Sequence, residues 1–247
     1  MGRRKIEFQL YELGSVGAFA KKMLTASGGV VYVAGNGDAA KQAITDVNGT
    51  ALTNPRALTN GACVFYVPDT VASVDLFIQC PGGQFVAVPD VDESVQDIGV
   101  DTTRIHQVMV VPFSATDSTA AVETNTGFDF PLHAAVLPTP FVRVSAIDAT
   151  ETMDVGLLSS ETAGDADGFI NGLVLDNLGL VKATLLASGD TMGALLSVLD
   201  SANAGDDAPE SHVITGTNAT SVTYTLTTGS DTAKGYIYLP YLLMPAL

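Results

Sequence analysis

The 247-residue sequence predicts an all-β protein, a small N-terminal β-sandwich-like domain followed by a larger jelly-roll-like β-sandwich. Three observations carry that prediction. Apolar and polar residues alternate over short runs, as in strands with one buried face. Turn residues recur at close spacing, with 24 Gly and 11 Pro in the chain. Residues are 47% hydrophobic and only 15% charged, which favours a packed core over disorder.

The first unit spans residues 1–24. In "KIEFQLYEL", Ile6, Phe8 and Leu10 share one side, and Glu7 and Gln9 share the other. This segment is either the first strand of the core or an arm that adds a strand to a neighbour's sheet. Residues 25–98 follow as a small β-domain. "GGVVYVAG" is a strand, and Asn48-Gly49 marks a hairpin turn in "KQAITDVNGTALTN". "ALTN" occurs at 51–54 and again at 57–60, an offset that keeps equivalent residues on one face of an extended chain. "GACVFYVP", "SVDLFIQC" and "QFVAVPDV" complete about five strands, the pattern of a small sandwich.

Residues 91–104, "VDESVQDIGVDTTR", are acidic with no sustained period and are expected to form a linker. The larger domain occupies 99–247. Its strand candidates run from "IHQVMVVPF" through "GFDFPL", "TPFVRVSAID", "TMDVGLL", "GFINGLVLD", "LVKATLLAS", "SHVITG" and "SVTYTLTT" to "GYIYLPYLLM". That is roughly the strand number of a jelly-roll-like sandwich. One competitor is "DTMGALLSVLDSANAG", where Met192, Leu195, Leu196 and Leu199 stand at helical spacing. Gly193 counts against a helix, so a strand or irregular turn is expected there.

The formal net charge of -16 argues against nucleic-acid binding. Five of the 11 basic residues lie in the first 22, making a basic segment on an acidic body. Glu7, Gln9 and Glu12 interrupt what would be the apolar region of a secretory signal. No apolar run approaches the roughly 18 residues of a membrane span. A cytoplasmic origin without membrane association is therefore expected. Cys63 and Cys80 each share a face with apolar neighbours, as small core residues do. A disulfide between them requires their strands to pair, and a reducing compartment argues against it.

The stretch "ETAGDADG" suggests a calcium loop. With Gly168 at position 6 of an EF-hand frame, Asp167 and Asp165 fall at 5 and 3, but Ala163 occupies 1 and Val174 occupies 12. The flanks look like strands, so an exposed hairpin loop with its acids in water is expected, with no metal. His106, His133 and His212 each stand alone, and no nucleophile elbow, zinc-protease or phosphate-loop motif is present. No enzyme activity and no cofactor are predicted. Candidate contact residues are the basic, alternating N-terminus (Arg3, Arg4, Lys5, Ile6, Phe8, Leu10 and Tyr11) and the apolar C-terminus (Leu242, Leu243 and Met244). An apolar tail needs cover from its own core or from a partner.

"DVNGTALTNPRALTNGACVFYVPDTVASVDLFIQCPGGQFVAVPDV" resembles a module of tailed-bacteriophage structural proteins, and "TGFDFP", "DVGLLSSETAGDADGF" and "YTLTTGSDTAKGYIYLPYLL" resemble the same class. The resemblance covers most of residues 25–247 and rests on turn and strand residues. It implies a virion protein, foremost a capsid decoration (cement) protein on the capsid exterior. The major capsid protein would be its partner, and the protein itself would often form a homotrimer. A tail or baseplate fibre component binding a host surface is the alternative. The fibre reading predicts aromatics at loop tips, which "SSETAGDADG" and "SANAGDDAPE" lack. A third class, a calcium-dependent carbohydrate-binding enzyme module, predicts a metal-dependent melting shift.

Overall fold

The computed structural model describes residues 2–12, 22–23, 28–92, 96–100, 105–147, 150–184, 191–198, 208–216, 219–227 and 232–244. Among these the fold is all-β, with one short 3-10 turn at Ala115–Asp117 and no α-helix. The chain divides into two compact units, Met1–Arg104 and Ile105–Leu247.

The first unit holds β1 (Arg3–Glu12), β2 (Lys22–Met23), β3 (Val30–Gly35), β4 (Arg56–Ala57), β5 (Ala62–Pro68), β6 (Val74–Gln79), β7 (Phe85–Val91) and β8 (Gln96–Val100). One sheet joins β1 to β2, β5 and β8, and a second runs β4-β3-β6-β7. Alternation along each strand puts Ile6, Phe8, Cys63, Phe65, Leu76 and Ile78 into one core cluster fed by both sheets. The N-terminal segment thus resolves as a core strand. β1 runs antiparallel to β5, with Phe8 opposite Cys63, and parallel to β8, with Phe8 opposite Gln96.

The expected linker at 91–104 is corrected in its middle. Gln96–Val100 is a strand whose Ile98 and Val100 are buried. Its partner β1 lies nearly ninety residues away in sequence, so no local period announces it. The Asn48-Gly49 turn forms as read, with Gly49 at φ 91° and Asp46 closing the hairpin onto Thr50. Leu52 and Leu58 of the two "ALTN" stretches both pack on the core. Asn54 donates to and accepts from the Val33 backbone, standing in for a neighbouring strand.

The second unit holds β9 (His106–Ser114), β10 (Thr124–Asp129), β11 (Ala134–Val136), β12 (Phe141–Ala146), β13 (Thr152–Leu157), β14 (Ile170–Val174), β15 (Gly179–Lys182), β16 (Ser197–Val198), β17 (Ala208–Pro209), β18 (His212–Val213), β19 (Ser221–Leu226) and β20 (Lys234–Leu243). A four-stranded sheet runs β10-β19-β13-β14. A six-stranded sheet is built around β20, flanked by β9 along one side and by β12 and then β11 along the other. β15 and β18 extend its outer edge.

Aromatic rings join the two sheets. Phe113 of β9 meets Tyr224 of β19 edge-to-face at 6.2 Å, and Phe130 meets Tyr241 of β20 at 5.4 Å. Met192, in the stretch with helical spacing, instead forms a bridge to Ile170, and Ser197–Val198 pairs with Ala208–Pro209. Over residues 191–198 turns and pairing win over the leucine spacing, and Leu199 lies outside the described residues.

Candidate functional site

The N-terminal candidates separate by strand parity. Ile6, Phe8 and Leu10 are inside the chain's own core and offer nothing to a partner. This corrects the arm alternative: the apolar face that would clamp a neighbour is already covered. Arg3 and Lys5 are exposed, with Arg3 donating to the Asp46 carbonyl and Lys5 paired to Glu7. Arg4 is half-buried and donates to the Ala72 carbonyl. Tyr11 is half-buried beside Met23 and Gly99. At the other terminus Leu242 and Leu243 are half-buried in β20, and Met244 is 41% exposed.

The acidic loop is also corrected. Its carboxylates were expected to face water; Asp165 and Asp167 are half-buried, and Glu161 is bonded to backbone groups of its own chain. Glu161 accepts from the Thr220 and Ser221 N–H groups and from the Ser221 hydroxyl, which holds its carboxyl below the usual range. Gly156 permits the close approach. A Cβ there would overlap the Asp165 carbonyl, and one at Gly193 would overlap the Asp167 carbonyl. Asp165 and Asp167 share a hydrogen bond. That bond, then burial, then the Asp167 charge push Asp165 up to about 6. Burial likewise raises Asp154, which accepts from the Gly172 N–H. No group of three His, Cys, Asp or Glu suited to a metal occurs among the described residues.

The three histidines lie on or beside strands of the six-stranded sheet. His106 lies exposed on β9, and His133 sits at φ 65° ahead of β11. His212 is half-buried near the Phe169 ring, its pKa lowered by burial. Cys63 on β5 and Cys80 just after β6 are both free and buried in the same core cluster. Burial pushes their thiols up to about 11 and about 12, so both stay protonated and unreactive at neutral pH. A small open pocket beside Cys63 is lined by Arg56, Thr59 and Val64.

The residues that local reading missed lie on the outer face of the six-stranded sheet. Register sets Lys182, Phe141, Tyr238 and Val110 in one row across β15, β12, β20 and β9. Leu180, Arg143, Tyr236 and Pro112 form the next row. Phe141 and Tyr238 stack at 4.6 Å with rings 10° apart. Leu180 is 65% exposed and Val108 is 42% exposed, whereas Phe141, Tyr236, Tyr238 and Val110 are half-buried and Pro112 is buried. None of the six strands contains an Asp or Glu. The second unit carries three basic and sixteen acidic residues, and all three cations (Arg143, Lys182 and Lys234) sit on this sheet.

The fold and this surface define a class, an all-β protein of two units with a largely apolar sheet face that bears the second unit's cations. Compared with protein-family models, curated proteins and solved structures, the chain matches none. No helix among the described residues is long and apolar enough to cross a membrane.

Proposed function

We propose that this chain is a non-enzymatic virion structural protein of the tailed-bacteriophage kind. It binds the capsid exterior as a decoration protein, stabilises contacts between major capsid subunits, and assembles in the host cytoplasm in many copies, as a homotrimer. The observation that supports the reading best is the division of labour among side chains. Loop polar groups bond inward: Asp46 closes its own turn, Asn54 pairs with β3, and Glu161 caps the start of β19. Among the surfaces left outward is a largely apolar sheet face, suited to adhesion between proteins rather than chemistry. The resemblance in strand and turn residues supplies the virion context.

The test is co-sedimentation of the purified full-length chain with empty, undecorated heads of its phage. Saturable binding is the expected result. Absence of binding would overturn decoration and bring forward the fibre reading, which the stacked Phe141–Tyr238 pair favours as a platform for a host sugar. A truncation of residues 1–12 is unsuited to this test, because it removes the core strand β1.

A further inference from the structure

We infer that the outer face of the six-stranded sheet docks a second copy of this chain in a head-to-tail manner, onto the acidic outer face of the neighbour's four-stranded sheet. The inference deepens the many-copies part of the reading above and rests on it only for its context.

Two arguments choose this occupant. The first is charge. Arg143 and Lys182 are exposed on a face whose strands contain no acid. A two-fold, face-to-face contact would set these cations against one another. The opposite side of the sandwich provides the complement. Asp154 points outward from β13, between the inward Met153 and Val155. The loop bearing Asp165 and Asp167 lies over Gly156 on that same side. These three carboxylates bear on one another: Asp167 raises both Asp154 and Asp165. Cations from a neighbour would relieve that repulsion.

The second argument is area. The face is four strands wide at about 4.8 Å per strand, and ten residues long along β20 at about 3.3 Å per residue. That gives about 600 Å² in projection, the same order as the about 800 Å² per partner of a stable interface. The contact is heterologous, since different patches meet, so a pair of copies keeps one free face of each kind, one on each copy.

The test is sedimentation velocity on the purified full-length chain, with R143E/K182E as the variant of the cationic face and D165N/D167N as the variant of the acidic face. The wild type is expected to associate at about 100 µM in about 50 mM salt, and to dissociate as salt rises. Each variant alone is expected to bind about tenfold more weakly or worse. An equimolar mixture of the two should form one-to-one dimers that grow no further, because one intact face of each kind remains. Melting temperatures of both variants control for folding, and the four positions are exposed or half-buried. A wild type that stays monomeric overturns the inference, as does association that R143E/K182E leaves intact or a mixture that fails to pair. Since no capsid enters the experiment, its failure leaves head binding standing, and failed head binding leaves this contact standing.

Discussion

Replacing Phe8 with Ala separates a core strand from an arm. Phe8 is 1% exposed and packs in the cluster shared by both sheets of the first unit. Truncating a buried Phe costs about 3–5 kcal/mol through lost transfer energy and the cavity left behind. Domains of this size have about 5–15 kcal/mol in total, so the first unit would lose a large share of its stability. With a urea slope of about 2 kcal/mol per molar, the unfolding midpoint falls by about 2 M. Hydrogen exchange read by mass spectrometry across a urea series assigns the loss to a unit. Peptides within 28–92 should exchange at lower urea, and those within 105–184 should not change. Lys5→Ala, on the exposed face of the same strand, is the control and should stay within about 0.5 kcal/mol of wild type. A Phe8→Ala midpoint matching that control would refute the placement of β1 in the chain's own core.

Gly156→Ala should destabilise the second unit by about 1–3 kcal/mol, because its Cβ meets the Asp165 carbonyl; calorimetry reads the shift. The raised pKa of Asp165 means that its carboxyl favours folding once protonated and opposes it once charged. The melting temperature of the second unit should therefore fall as pH rises from about 4 through about 6, and Asp165→Asn should flatten that step. Glu161 has the opposite sign: its lowered pKa contributes stability above the ordinary carboxylate range that is lost on acidification. Glu161→Gln should then cost stability at pH 7 and little at pH 3 in the same scans. Both thiols should resist an aromatic disulfide reagent at pH 8 in the native chain, and both should react in urea; prompt native reaction would contradict their burial.

Much of the fold was legible because a strand with one buried face writes its period into the sequence. Ile6, Phe8 and Leu10 announced β1, and Ile237, Leu239 and Tyr241 carry the same alternation through β20. Asn48-Gly49 announced its turn, since Gly adopts a positive φ without steric cost. β8 was not legible: two apolar residues among acids make no period, and its partner β1 is distant in the chain. The acidic loop was misjudged for a similar reason. The donors to Glu161 are backbone N–H groups at Thr220 and Ser221, about sixty residues on, which no spacing rule connects to it.

Composition and alternation by themselves determined the all-β class, the strands with one buried face and the absence of any familiar catalytic motif, because these follow from local preferences and residue type. Tertiary structure alone decided which strands became neighbours. Arg143, Lys182 and Lys234 are scattered in sequence, and each is unremarkable where it stands. Pairing of β12 with β15 and β20 gathers them with Phe141, Leu180 and Tyr238 onto one face. Such a surface exists only once long-range register is set, since register determines which side chains from distant strands stand side by side.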